Sequence, residues 1–155
     1  MKEASDRKSS RIFPLTESIN AYLTFQRTYN IINRTVSKRL AQWGLSVPKY
    51  GVIIQLYDHE SLPLTEISKL IFCGNSNLTA LIDRMERDGL VQRVNHGTDR
   101  RIKEIRLTEK GRELAPKVIG EYRPFLHQMM SCFSPDEQKT LSDLLARLKD
   151  RLERE

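Results

Sequence analysis

The sequence predicts a mainly α-helical fold with one small β-hairpin, and three patterns indicate it. Apolar residues recur at helical spacing along most of the 155-residue chain. Two short amphipathic segments, 64–71 and 75–88, are joined by a corner that contains glycine, which is typical of a helix-turn-helix. Two strand-like runs, 90–95 and 102–107, flank a polar turn. Together these patterns predict a winged helix-turn-helix with additional helices at both ends of the chain.

The first part of the chain predicts an arm followed by two helices. Residues 1–14 are polar and basic, so we expect a flexible basic arm. A helical pattern runs from Thr16 to Trp43 and carries more apolar surface than one small domain can cover. Gly44 is expected to end it, and Ser46 with Pro48 to begin the next helix. The inward positions predicted for that next helix are Tyr50, Val52, Ile53, Leu56 and Tyr57.

The helix-turn-helix has predicted caps and predicted faces. Thr65 is expected to cap its first helix, and Asn75 or Ser76 its second, which Gly89 ends. The inward residues of the first helix are Leu64, Ile67, Leu70 and Ile71. The inward residues of the second are Leu78, Leu81, Ile82 and Met85. Its outer face is therefore Asn77, Thr79, Ala80, Asp83, Arg84 and Arg87.

Two more helices are predicted after the hairpin. Thr108 is expected to cap the first, and Pro116 and Pro124 are each expected to kink or break it, because an internal proline removes a hydrogen bond and costs ~3 kcal/mol. Ser134 and Glu137 form a predicted capping box at the start of the last helix. That helix carries one apolar stripe, made of Leu141, Leu144, Leu145, Leu148 and Leu152.

Composition narrows the class of protein. Lys and Arg number 26 against 20 Asp and Glu, which gives a net charge of +6 and favours a polyanionic partner. No apolar run is long enough to span a bilayer and the N-terminus lacks a signal-peptide core, so we expect no membrane partner and a cytoplasmic location. The two cysteines are expected to be reduced. Catalytic motifs and zinc-ligand spacings are missing, so we predict neither an enzyme nor a cofactor or metal.

Two neighbouring runs closely resemble the MarR family of transcriptional regulators. They are NLTALIDRMERDGLVQRV at 77–94 and TDRRIKEIRLTEKG at 98–111. The second run contains the Asp-x-Arg of the wing, Asp99 and Arg101, and the Leu-Thr-x-x-Gly that begins the next helix. In element order the resemblance covers residues 15–152. It implies a regulator that binds double-stranded DNA and acts as a repressor that a ligand releases.

The resemblance also implies how the chain is organised. MarR-like proteins are homodimers that pair through their first and last helices, here 15–44 and 108–155, within a single domain at 15–155. The winged-helix DNA-binding region is then 46–107. The surplus apolar surface of the terminal helices agrees with pairing, although a monomer that folds its last helix onto its first remains an alternative. A two-fold axis would place two reading helices on a pseudo-palindromic operator.

Several residues are candidates for contact with DNA. Asn77, Thr79 and Ala80 are predicted to reach base edges, with Asn75 or Ser76 near a phosphate at the helix start. Arg84 is predicted either to bind a phosphate or to pair with Asp83, Glu86 or Asp88. The resemblance places Arg101 in the minor groove, and Asp99 is expected to orient it. Further basic residues expected to meet phosphate are Arg87, Arg93, Arg100, Lys103 and Arg106.

Three alternatives concern regulation and specificity. MarR-like dimers commonly bind phenolic or other aromatic ligands, for which Tyr22, Trp43, Tyr50 and Tyr57 are candidates, although such rings are also ordinary core residues. Cys73 lies in the helix-turn-helix corner, where it is either a redox sensor or a small buried residue. A basic chain could also be an architectural DNA binder that has no sequence preference.

Overall fold

The computed structural model describes residues 16–71, 75–95 and 103–154, with 75–77 described by their backbone alone. The mainly helical fold with a small antiparallel sheet is confirmed. Its helices are α1 (Glu17–Leu40), α2 (Val47–Asp58), α3 (Leu64–Leu70), α4 (Asn75–Arg87), α5 (Glu109–Met130) and α6 (Pro135–Leu152), with a 3-10 helix at Ala41–Trp43. Its strands are β1 (Leu62–Pro63), β2 (Val91–Asn95) and β3 (Lys103–Leu107). The chain divides into two compact units, the first ending at Val47 and the second beginning at Pro48.

The first unit contains α1, which begins and ends as the sequence predicts. The Thr16 hydroxyl accepts a hydrogen bond from the Ile19 backbone N–H at 3.4 Å, and Gly44 follows the 3-10 helix with a φ of 69°. Val36 and Leu40 are buried. The exposed large apolar side chains of α1 are Ile19, Tyr22, Phe25, Tyr29 and Ile31. Most of this helix therefore presents apolar surface without cover in the single chain.

The core of the second unit lies beneath α4. All four inward residues predicted for α4 are buried, namely Leu78, Leu81, Ile82 and Met85. The prediction was wrong for Leu70, which is 44% exposed, and for Tyr57, which is 46% exposed. Each lies in the last turn of its helix, where the chain leaves the core. Side chains from the other elements complete this core, chiefly Val52, Ile53, Leu56, Ile67, Ile105, Leu107 and Val118.

The predicted cap of α3 is wrong, because Pro63, not Thr65, occupies the N-cap position and no side chain caps that helix. Helix α5 continues through both Pro116 and Pro124 as one 22-residue helix, so neither proline breaks it, and the alternative of a kink stays a prediction. Each proline removes only its own N–H from the ladder, and the buried face of α5 holds the helix together across both sites.

The sheet has the order β1–β3–β2 with antiparallel pairing throughout. Strands β2 and β3 form the predicted hairpin, with Arg93 opposite Ile105. Strand β1 was not predicted, and it pairs Leu62 with Ile105. The Ser61 hydroxyl donates to the Glu104 carboxylate at 2.6 Å beside this pairing. The wing is thus tied at its base to the chain that leads into the helix-turn-helix.

A close backbone contact joins the base of the wing to α5. Thr108 caps α5 as predicted, because its hydroxyl accepts from the Gly111 N–H at 3.1 Å, and its own N–H donates to the Leu90 carbonyl at 3.1 Å. A Cβ at Gly111 would lie 2.2 Å from the Leu90 carbonyl oxygen. The contact therefore requires glycine at this position.

The last helix begins with the predicted capping box. The Ser134 N–H donates to the Glu137 carboxylate at 2.8 Å, and this bond lowers the pKa of Glu137. The leucines Leu144, Leu145, Leu148 and Leu152 are all exposed in the single chain. Within the ranges that the structure describes, no helix is both long and apolar enough to cross a membrane.

Candidate nucleic-acid interface

The outer face of α4 is the surface that the sequence assigns to base reading. Thr79, Ala80, Arg84 and Arg87 are exposed on it, opposite the buried inner face. The backbone is helical from Asn75 onward. The side chains of Asn75, Ser76 and Asn77 lie outside the described part of the chain, as do Cys73, Asp99, Arg100 and Arg101. Their predicted roles stay predictions.

Arg93 does not lie free to meet phosphate, as the sequence suggested. Its guanidinium forms ion pairs with Glu86 and with Asp83, and its backbone N–H donates to Glu86 at 3.1 Å. The hydrogen bond to Asp83 is the largest of the effects that raise the pKa of Arg93. We call this three-residue set, Arg93 with Asp83 and Glu86, the wing clamp. It fastens β2 to the side of α4, so Arg93 positions the reading helix.

The wing clamp also bears on the two alternatives for Arg84. The ion-pair alternative required Asp83, Glu86 or Asp88 as a partner. Asp83 and Glu86 pair with Arg93, whereas Asp88 pairs with Lys49. Among the described residues, Arg84 takes part in no ion pair, and its side chain is exposed. The ion-pair alternative for Arg84 is therefore absent from the described part of the chain, and its phosphate contact stays a prediction.

A second ion pair holds the other side of α4. The Lys49 amine near the start of α2 lies 2.6 Å from the carboxylate of Asp88, the residue that follows α4. The hydrogen bond from Lys49 is the main cause of the lowered pKa of Asp88. Lys110 donates to the Asp88 backbone carbonyl at 2.7 Å. Sequence reasoning missed Lys49, since nothing in its neighbourhood indicates that its partner lies 39 positions away.

Strand β3, the central strand of the sheet, buries two residues of one face. Lys103 and Arg106 are exposed on β3, whereas Ile105 and Leu107 are buried. Lys103 also donates to the side-chain oxygen of Asn95 at 2.5 Å across the hairpin. Both basic side chains therefore reach solvent, from opposite faces of the strand, and their phosphate contacts stay predictions.

The four aromatic residues proposed for a ligand occupy different environments. Tyr22 in the first unit is 60% exposed, and Tyr57 in the second is also exposed. Trp43 is half-buried, with the Arg39 guanidinium 5.4 Å from its ring centre. Tyr50 is buried and packs edge-on against Tyr122, with 4.5 Å between ring centres. Tyr50 is thus part of the core of its unit.

In the described ranges, no three acidic, histidine or cysteine side chains are grouped so that they could hold a metal ion. Cys132 is exposed in the turn before α6, with its sulfur 3.9 Å from the Met129 carbonyl oxygen.

Known proteins that are similar to this chain in sequence and fold are named as regulators of transcription. Residues 45–103 match the family model described as MarR family. The HTH-type transcriptional regulator TtmR of Methylorubrum extorquens is 32% identical over 138 residues, which are 88% of this chain and 70% of TtmR. The similar proteins are transcriptional regulators and not enzymes.

Solved structures give the same result. A putative MarR-like transcription regulator from Bacillus cereus is 30% identical with a TM-score of 0.73, over 86% of this chain and 96% of that one. The fold of AbsC, a MarR family regulator from Streptomyces coelicolor, matches with a TM-score of 0.83 over 91% of this chain and 98% of AbsC, at 24% identity. The chain belongs to the MarR family of DNA-binding transcriptional regulators.

Proposed function

We propose that the protein is a sequence-specific repressor that binds a pseudo-palindromic operator as a homodimer. The observation that carries this proposal is the exposed outer face of α4, held above a buried inner face and fastened by the wing clamp. Thr79 and Ala80 present a small surface that can approach base edges. Several similar proteins are named as regulators, and MprA of Escherichia coli, 27% identical over 91% of this chain, is named a transcriptional repressor.

The proposal gives individual residues the roles that the sequence predicts for them. Asn77, Thr79 and Ala80 would read bases in the major groove, and Asn75 or Ser76 would meet a phosphate at the start of α4. Arg84 and Arg87 would bind flanking phosphates. In the wing, Arg100 and Arg101 would contact the backbone and minor groove, with Asp99 orienting Arg101. The winged-helix region, 46–107, would form the reading head of a domain at 15–155.

The homodimer is supported by apolar faces that the single chain leaves exposed. Five large apolar side chains are exposed on α1 and four leucines on α6. Burying each such side chain contributes about 1.5–3 kcal/mol, so covering these faces is favourable. Most soluble oligomers are symmetric homo-oligomers, so we propose a second copy of the chain as the partner that covers segments 15–44 and 108–155. A dimer also supplies two reading heads, as half-sites about one helical turn apart require.

A charge placed in the α6 stripe tests the homodimer. Leu148→Glu should lower the mass in light scattering from dimer to monomer. Ala146→Glu places the same charge on the opposite side of α6, where the residue is also exposed, and should leave the mass unchanged. A dimeric Leu148→Glu protein would exclude this surface from the interface.

An aromatic ligand is the proposed signal for release. BpsR of Bordetella bronchiseptica, a structure with the same fold, is named for regulation of its DNA binding by 6-hydroxynicotinic acid. The organohalide-sensing regulator RdhR-CbdbA1625 is named in a form bound to 2,4-dichlorophenol. Trp43, the single tryptophan of this chain, offers a direct readout. Titration with phenols and aromatic acids should change its fluorescence and lower DNA affinity together.

Selection of DNA fragments from the source genome at near-physiological salt tests operator binding. Enrichment of one inverted repeat with half-sites about one turn apart is expected. Arg101→Ala should weaken binding, and Asn77→Ala should relax the preference at one position of each half-site. Uniform recovery of all fragments would replace the operator proposal with an architectural DNA binder.

A further inference from the structure

A basic cleft lies beside the exposed face of α4. Its volume is 280 Å³, and it is lined by Lys49, Arg84, Arg87 and Asp88. Three of these side chains are cationic and one is anionic, so the cleft carries an excess of positive charge. Lys49 comes from α2, whereas the two arginines come from α4. Two separate elements therefore bring cations to one opening.

The position of the cleft is set by helical geometry. Ala80, Arg84 and Arg87 are spaced by four and then three residues, so they form one row along α4. Ala80 is the member of this row assigned to base edges, and the arginines follow it toward the C-terminal end. The DNA backbone borders the groove that a reading helix enters. If Ala80 lies in the major groove, Arg84 and Arg87 therefore lie near the DNA backbone at the edge of that groove.

Within the cleft, the Lys49 amine already binds one anion, the carboxylate of Asp88. The Lys49 amine meets the Asp88 carboxylate at 2.6 Å, with the lysine side chain 18% exposed and the aspartate side chain 46% exposed. The amine is therefore sheltered while its anionic partner reaches into solvent. A phosphate oxygen presents the same charge and the same acceptor geometry to an amine as a carboxylate oxygen.

We propose that this cleft seats a backbone phosphate of double-stranded DNA, with Lys49 as a third cation beside Arg84 and Arg87 and Asp88 as an internal counter-ion. The inference rests on the proposed DNA-binding function. The phosphate takes the place of the Asp88 carboxylate at Lys49 when the protein docks. Asp88 consequently moderates affinity for DNA of every sequence, because phosphate contacts are independent of base identity.

Salt dependence distinguishes a phosphate seat from an ion pair that only supports the fold. Each phosphate that a cation neutralises changes the slope of log affinity against log salt concentration by about 0.9. Between 1 M and 0.15 M salt, one such contact therefore raises DNA affinity about fivefold. Lys49→Gln should therefore weaken binding by a factor on the order of five per protomer and make the slope shallower. Asp88→Asn should strengthen binding and make the slope steeper.

The experiment uses the full-length protein and a mixed-sequence duplex longer than two helical turns, titrated at several salt concentrations. Asp88→Asn is the decisive variant, since a folding defect cannot raise affinity. Lys49→Gln should cost more affinity in the Asp88→Asn background than in the unsubstituted protein, because the counter-ion no longer competes for the amine. Lys149→Gln removes a lysine from an ion pair with Glu153 on α6 and serves as the charge-matched control.

The possible results separate this inference from the proposed function. If the unsubstituted protein binds DNA and neither Lys49→Gln nor Asp88→Asn changes the salt slope beyond the Lys149→Gln control, the phosphate seat is excluded and the regulator proposal stands. Equal losses of thermal stability in both variants, with affinity unchanged, would likewise identify a supporting ion pair and overturn the inference. If the unsubstituted protein binds neither this duplex nor any fragment in the genomic selection, both proposals fail.

Discussion

Replacing Arg93 with glutamine tests whether the wing clamp positions the reading helix. The substitution removes the ion pairs to Asp83 and Glu86 but keeps the backbone N–H that donates to Glu86 at 3.1 Å. Glutamine preserves part of the side-chain length and can keep one neutral hydrogen bond. The change therefore isolates the charge that joins β2 to α4.

The expected loss of stability follows from the exposure of the partners. The side chain of Arg93 is 31% exposed, and its partners are more open. Each ion pair at such a site contributes about 0.5–1 kcal/mol, because solvent screens much of the attraction. The two together contribute about 1–2 kcal/mol, which lowers Tm by roughly 3–6 °C in a chain of this size.

A double-mutant cycle with Glu86→Gln measures the pair directly by thermal unfolding at fixed protein concentration. We expect a coupling free energy of about 0.5–1 kcal/mol. Arg84→Gln is the matched control, since it removes an arginine on α4 that has no ion pair among the described residues, and it should change stability by less than about 0.5 kcal/mol.

DNA binding provides the result that would refute this reasoning. A positioning residue should lower affinity without altering the dependence on salt, because Arg93 would neutralise no phosphate. A slope shallower by about 0.9 per protomer would instead mean that Arg93 contacts the backbone. A coupling free energy near zero together with that slope would replace the wing clamp with a phosphate contact.

Two further predictions concern the folded state. Gly111→Ala should lower the free energy of unfolding by about 2–4 kcal/mol in denaturant, because its Cβ would lie 2.2 Å from the Leu90 carbonyl oxygen. Gly120→Ala in the same helix meets nothing within 4 Å and should raise the free energy of unfolding by about 0.5–1 kcal/mol. Equal effects of the two substitutions would disprove the contact at Gly111. Burial raises the pKa of Tyr50 and of Tyr122, so the stability that their neutral forms contribute is present below pH ~10 and lost as pH rises through the folded-state values. Tyr50→Phe should remove a late-titrating fraction of tyrosinate absorbance, and an unchanged titration curve would contradict this burial.

Features set by local chemistry could be predicted from sequence. The four apolar residues of α4 recur at helical spacing, and all four are buried. Gly89 ends that helix with a φ of 71°, and Ser134 pairs with Glu137 in a capping box that spans four residues. Periodicity and short-range capping act within one or two turns, so the residues that cause them are adjacent in the sequence.

Features set by distant partners could not be predicted. Strand β1 is two residues long, which is too short for any periodicity, and it forms only because β3 lies beside it. Arg93 and Lys49 were visible as charges, but the partners of Arg93 lie 7 and 10 positions away and the partner of Lys49 lies 39 positions away. The prolines of α5 show the same limit, since tertiary burial outweighed a correct local penalty.

The long-range wing clamp determines how α4 is held within the second unit. Arg93 on β2 pairs with Asp83 and Glu86 on α4. The buried face of α4, which contacts the core, supplies a second support. Rotating α4 on its own would therefore break the wing clamp or expose core residues. We therefore expect a release signal to change the spacing between the two reading heads of the proposed dimer, because that movement leaves both supports intact.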